Sequence, residues 1–286
     1  MTAILKREIR SSFHGMIGYV LTAFLLVASA IYFVALNLGY GLPDFGYYTL
    51  YNTIFMLLFY FPVLTMRSFA EERRTRTDQL LLTSPVSVWE IVLGKFFALC
   101  VIFALPCLAD AVMILVLAAL GATGTATLAN LAALLCYYLM GCAAIAIGVF
   151  VSSLTESQVI AAVAIGVINI FTMLMTSLAN MLPSSKIFMV CFFAALIVLL
   201  AFALNFWIHN KWVSALVGLV AEIVLFVLYF FFSSHFDGLL YNVLSAISFT
   251  DRYTNFTYGI LDVSAMLYYV SVSFLFVFFT IQRIKK

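Results

Sequence analysis

Apolar residues in this chain follow neither a strand period nor an amphipathic-helix period over most of its length. They gather in blocks of about 20, the number a helix needs to cross the ~30 Å hydrocarbon layer of a membrane. Eight such blocks stand out, at 16–36, 50–66, 91–120, 128–151, 158–179, 188–208, 214–232 and 265–281. Inside a bilayer the backbone must satisfy its own hydrogen bonds, and continuous blocks of this kind can do so only as helices. The pattern therefore predicts an all-α fold, a polytopic membrane helical bundle of about eight spanning helices forming one transmembrane domain over 1–286. The weakest pair, 188–208 and 214–232, is separated only by 209–213, and the count falls to six if these two are re-entrant or interfacial.

Two segments break the apolar monotony. Over 1–15, Ile4, Leu5, Ile9 and Phe13 share one side of a helix and Lys6, Arg7, Glu8 and Arg10 the other, which predicts a short amphipathic element along the inner membrane surface. Ala28-Ser29-Ala30 has the A-x-A form of a signal-peptide cleavage site, but apolar sequence continues through 31–36, so this block is expected to stay as the first span. The second segment, 67–90, is the longest polar excursion. Glu71 and Glu72 stand three and four residues before Arg74 and Arg76, a spacing that predicts Glu71–Arg74 and Glu72–Arg76 pairs on a helix continued by Leu80, Leu81 and Leu82. Pro85 ends that helix, and Ser87 with Glu90 three residues later forms a capping box that opens the third span.

Composition and charge agree with the pattern. Of the 286 residues, 66% are hydrophobic and 9% charged, against about 25% charged in a soluble domain. A net charge of +2 gives no basis for a nucleic-acid partner. With the N-terminus inside, 12 of the 14 Lys and Arg fall on the cytoplasmic side and only Lys186 and Arg252 outside, which predicts an N-in, C-in topology. The five cysteines all lie in apolar blocks with no C-x-x-C spacing, as small core residues do.

Catalytic signatures are missing from the sequence. Gly41 and Gly46 carry only the glycine spacing of a phosphate-binding loop, with no Lys-Ser or Lys-Thr after them, and His14, His209 and His235 fall at different membrane edges and do not make a metal site. Two carboxylates sit within predicted spans, Asp110 in the third, four residues after Pro106, and Glu222 in the seventh. An acid at such depth costs at least ~2.5–3.5 kcal/mol to insert. Each either braces the bundle by hydrogen bonding or lines a path through it. Gly141, Ala144 and Gly148 on the fourth helix offer a small-residue face suited to close packing.

Phe69-Ala70-Glu71-Glu72-Arg73-Arg74, Thr77, Leu80-Leu81-Leu82-Thr83-Ser84-Pro85-Val86-Ser87 and Glu90-Ile91-Val92-Leu93-Gly94-Lys95 together resemble the cytoplasmic segment of ABC-2 type transporter permeases. The resemblance is closest to the gliding-motility-associated permeases, through Phe236-Asp237, Leu244-Ser245, Phe249, Arg252, Phe256, Gly259-Ile260-Leu261-Asp262 and Tyr268-Tyr269. Two positions depart from the family pattern. Arg76 stands where Gly is usual and Gln79 where Glu is usual, which bears on single ion pairs across the ATPase interface and not on docking.

The resemblance implies the transmembrane subunit of an ABC transporter in the bacterial inner membrane, moving a substrate at the expense of ATP. ATP and Mg would be bound by a separate cytoplasmic ATPase, with no cofactor in this chain. Glu71, Glu72, Arg73, Arg74, Leu80, Leu81, Leu82 and Pro85 are the expected ATPase-docking residues. The segment 1–15 would be a connector helix, 67–90 the coupling segment and 233–264 an external region. A second permease copy or paralogue would complete a dimer, with membrane lipid and an envelope or periplasmic protein as further partners. Two other classes stay open on the residues alone: an ion-coupled secondary carrier using Asp110 and Glu222, and a non-transporting anchor that passes ATPase work to envelope partners.

Overall fold

The computed structural model describes residues 2–76, 87–121, 124–181, 194, 197, 219–220, 222 and 239–285. Among them every regular element is helical. Six helices are long and apolar enough to span a membrane: Ile17–Leu38, Gly46–Arg74, Val88–Ala119, Ala126–Ser152, Gln158–Met175 and Val263–Lys285. Of the blocks at 188–208 and 214–232, only residues 194, 197, 219, 220 and 222 are among the described residues.

The chain opens with α1 (Thr2–His14), in which Ile4 is buried while Lys6, Arg7 and Arg10 remain exposed, the two-sided helix that the sequence predicts. Gly15 and Met16 turn the chain, Met16 in the left-handed region at φ 59°, into α2 (Ile17–Tyr32). α2 loosens into a π-helical stretch, Phe33–Leu38, and a second one, Gly46–Leu50, leads into α3 (Tyr51–Thr65). Then come α4 (Ala70–Arg74), the 32-residue α5 (Val88–Ala119) and α6 (Gly124–Ser152). The remaining elements are α7 (Gln158–Met181), α8 (Leu239–Ile247), α9 (Phe249–Thr257) and α10 (Val263–Lys285).

The described chain divides into two compact units, Met1–Phe171 with Phe249–Lys286, and Thr172–Ser248. In the first, α6 is the central element, packed on α3, α5, α9 and α10. Its sequence explains the position. A Cβ at Gly141 would overlap the Phe103 ring of α5, one at Gly148 would overlap Thr65 of α3, and Ala144 between them is buried. The small-residue face therefore packs inside the bundle, where missing side chains let neighbouring helices close in. Phe103 fills the space left at Gly141 and stacks on Tyr138, the ring centroids 5.9 Å apart. On the other side Phe150 meets Phe276 and Phe279 of α10.

The link between α2 and α3 is irregular over 39–45, so its backbone needs partners from elsewhere. Asn130 of α6 provides two: its Oδ1 accepts from Gly46 N at 3.1 Å and its Nδ2 donates to Pro43 O at 2.9 Å. Asn37 Nδ2 donates to Leu42 O, and Thr49 Oγ1 donates to Asn37 Oδ1, both at 2.7 Å. Side-chain amides thus stand in for helical hydrogen bonds at this end of the bundle. At the start of α10, Asp262 Oδ1 accepts from Ser264 N and Ala265 N while its Oδ2 accepts from Asn255, a cap that ties α9 to α10.

Candidate functional site

The segment between the second and third spans takes its shape from two termini. No side chain of α4 or of its flank caps its first amides; Ser152, at the end of α6, does so from across the bundle. Its Oγ accepts from Phe69 N and Ala70 N, both at 3.1 Å, and donates to Met66 O at 3.1 Å. One buried hydroxyl thereby joins the last turn of α3, the first turn of α4 and the end of α6. The acids Glu71 and Glu72 fall in the first turn of α4 and the bases Arg73 and Arg74 in its last, the distribution that complements the helix dipole.

α4 stops at Arg74. The sequence predicts a helix running on to Leu80–Leu82, but Arg76 adopts φ 56° and its N–H bonds Arg73 O at 3.1 Å, a left-handed helix terminator of the kind Gly most often fills. Gly fits such a backbone without penalty, and Arg76 occupies it in a strained conformation. Leu80, Leu81, Leu82 and Pro85 lie outside the described residues. Beyond them, Ser87 caps α5 as expected, its Oγ accepting from Glu90 N at 3.3 Å.

Glu72 is turned into the bundle, where its Oε1 stands 2.9 Å from Lys95 Nζ and 3.0 Å from Arg7 Nη2. Lys95 is the centre of this node. It sits two turns into α5, its side chain only 2% exposed, and its ammonium also reaches Glu8 Oε1 at 3.2 Å and donates to Ser68 O at 2.7 Å. The Phe69 ring lies 5.0 Å from Nζ. Three oxygen acceptors match the three donors of an ammonium, so the buried charge is fully partnered. Arg7 Nη2 closes the ring by bonding Glu8 Oε1 at 2.9 Å. The node thus fastens α1, the α3–α4 turn, α4 and α5 to one another.

The electrostatics are those of mutual support. Burial opposes ionisation of Glu8, but the charge of Lys95 and hydrogen bonds from Arg7 and Lys95 outweigh it and hold the carboxyl below the usual carboxylate range. The hydrogen bond that Arg7 donates to Glu8, with both acids' charges, holds the Arg7 guanidinium above its ordinary value against partial desolvation. Arg7, Glu8 and Lys95 are not among the docking residues singled out from sequence. Lys95 carried a signal all the same: a lysine five residues inside an apolar block needs acids from elsewhere. Ser152 carried none, since nothing in its own neighbourhood marks it as a cap for another helix.

The two acids that the sequence places within spans fall in different units. Asp110, on α5, is 5% exposed, with Ser29 of α2 facing it and its Oδ1 without a hydrogen-bond partner. Glu222, in Thr172–Ser248, is exposed. Among the described residues no group of three His, Cys, Asp or Glu could hold a metal ion. Cys100, Cys107 and Cys136 are buried thiols within the bundle. His14 lies at the end of α1; His209 and His235 are outside the described residues.

None of the curated proteins compared matches the chain. A family model described as an ABC-2 family transporter protein does, over residues 22–187. That match takes in α2 through α7 and the whole 67–90 segment, more than half of the chain, and the helical membrane architecture agrees with it. Spanning helices, a buried ionic node at the end of the bundle that carries 67–90, and this match together assign a multi-pass transport component: the chain belongs to the ABC-2 family of transporter proteins.

Proposed function

We propose that this chain is the permease subunit of an ABC transporter in the bacterial inner membrane, close to the gliding-motility-associated permeases, with α1, α4 and the C-terminal end of α10 on the cytoplasmic side. A separate ATPase binds ATP and Mg and docks on Glu71, Glu72, Arg73, Arg74 and the Leu80–Leu82 and Pro85 segment, and a second copy or a paralogue completes the pore. The observation that carries this reading is the Lys95 node. A buried lysine held by acids from α1 and α4 makes the docking segment, the amphipathic helix and the longest membrane helix respond as one body. At 1.5 Å per residue α5 is about 48 Å long, so displacement applied at its charged end is delivered across the bundle.

The test is purification with the ATPase. Wild-type chain retains the ATPase near one to one with vanadate-sensitive hydrolysis, and Leu81→Asp, which puts a charge on the apolar docking patch, loses it. Stoichiometric retention by Leu81→Asp overturns the docking assignment. Asp110 fits a second role within the same function: a buried acid with an unpartnered oxygen lines the path that the substrate takes. Asp110→Asn then leaves assembly intact and changes substrate stimulation of hydrolysis; unchanged stimulation makes it a brace.

A further inference from the structure

A cavity of about 470 Å³ opens beside the Lys95 node, between the end of α1, the start of α2 and the α3–α4 turn. Its lining is divided. Ser11, Ser12, His14 and Arg67 supply polar atoms, and Ile17, Val63, Leu64 and Leu99 an apolar floor. Glu8 and Lys95 at its inner wall neutralise one another, leaving Arg67 as the one permanent cation on the wall without an ion pair to any described residue, and Glu71 as the acid at the rim. Next to it, sharing Ser11 and His14, is a shallower cleft formed by Lys6, Arg7 and Arg10 of α1. The surroundings are therefore net cationic. Ser68, 8% exposed and part of the cavity lining, has a buried Oγ with no hydrogen-bond partner, a polar atom that the protein itself leaves unanswered.

What leads away from the cavity identifies the occupant. Tyr51, Phe55, Phe59 and Val63 of α3 are spaced by four, so they form one ridge, and all four are exposed. Val63 is also part of the cavity lining, and Arg67 follows it at the same interval. An exposed, mostly aromatic ridge that ends in an arginine without an ion pair to any described residue, beside a polar cavity, matches an amphiphile with a negative head and apolar tails, while a free anion would have no use for the ridge. Cationic pockets between membrane helices on the cytoplasmic side take acidic headgroups for this reason.

We propose that this cavity binds the phosphate headgroup of an anionic phospholipid of the inner leaflet, with Arg67 on the phosphate and the acyl chains along Tyr51, Phe55, Phe59 and Val63. The leaflet rests on the orientation proposed above; the site does not, because binding in detergent is blind to sidedness. The lipid seals α1 against α3 beside the node, so its presence stabilises the arrangement through which the ATPase acts.

The experiment titrates purified chain in detergent with phosphatidylglycerol, phosphatidylcholine and inorganic phosphate, reading the thermal unfolding midpoint and counting bound lipid by native mass spectrometry. Phosphatidylglycerol is expected to raise the midpoint saturably, with at least one lipid retained per chain, and phosphatidylcholine to do neither. Arg67→Gln is expected to raise the half-saturating concentration about tenfold, and Arg283→Gln, which removes an exposed cation from the same end of the bundle, to leave it unchanged. Equal loss in both variants reduces the effect to surface charge and overturns the site. Equal protection by inorganic phosphate overturns the lipid as occupant. Should Arg67→Gln not fold, Ser11→Asp puts a repelling carboxylate on the cavity wall and must weaken binding in the same way; undiminished binding there overturns the proposal. Loss of ATPase copurification in Leu81→Asp is read independently, so the docking assignment and the lipid site stand or fall separately.

Discussion

At the scale of single residues, Lys95 and Arg76 are the side chains that most constrain the molecule. Lys95→Met removes the cation that Glu8 and Glu72 share; Arg7, half-exposed, remains to answer both. The expected loss is about 3 kcal/mol, the scale for breaking one partner out of a buried pair, read as a lower unfolding midpoint in detergent. Glu8 gives the node a pH dependence of definite sign. Its folded carboxyl ionises more easily than in the unfolded chain, so its stabilisation is present above the usual carboxylate range and is lost as pH falls from that range through the lower pKa of the folded state. Glu8→Gln should therefore be less stable than wild type near neutrality and converge with it in acid, as parallel melting series will report. Arg76→Gly should act in the opposite direction, relieving the left-handed strain of about 1 kcal/mol and raising the midpoint without weakening ATPase retention. Lys95 was visible in the sequence as a lysine just inside an apolar block; its partners come from 87 and 23 residues away, and no local spacing announces them.

At the scale of elements, the long helices were legible because a spanning helix writes its length as an apolar block, and α5 and α6 match their blocks closely. The short ones were not. α4 looked from sequence like the start of a helix reaching Leu82, yet its beginning is set by Ser152, 82 residues on in the chain, and its end by the backbone at Arg76. The π-helical ends of α2 and α3 were equally hidden, since the 39–45 backbone between them relies on Asn130 of another helix. Ser152→Ala should cost about 1 kcal/mol, the usual value of a lost helix cap, and should weaken ATPase retention while α6 itself stays helical. Gly141→Leu drives a side chain into the Phe103 ring and should cost about 1–3 kcal/mol of stability, as overpacking does, read as a lower unfolding midpoint.

At the scale of the whole molecule, both the family and the helical membrane architecture could be read from residues before any geometry, because membrane insertion leaves apolar blocks and the family resemblance rests on short local motifs. The side of the membrane that α1 and α4 face is measurable directly. A cysteine introduced at Arg283, in a background lacking the native cysteines, should react with a membrane-impermeant thiol reagent in inside-out vesicles and be protected in right-side-out ones. The Lys95 node has one more consequence, and it concerns the order of synthesis. Both acids that neutralise Lys95, Glu8 and Glu72, precede it in the chain, so they already exist when the ribosome delivers α5 to the membrane. The lysine never waits for a counter-charge still to be translated. A chain lacking its first fourteen residues loses that arrangement at the moment of insertion, and its third span enters the bilayer with an under-compensated charge and a greater exposure to membrane quality control.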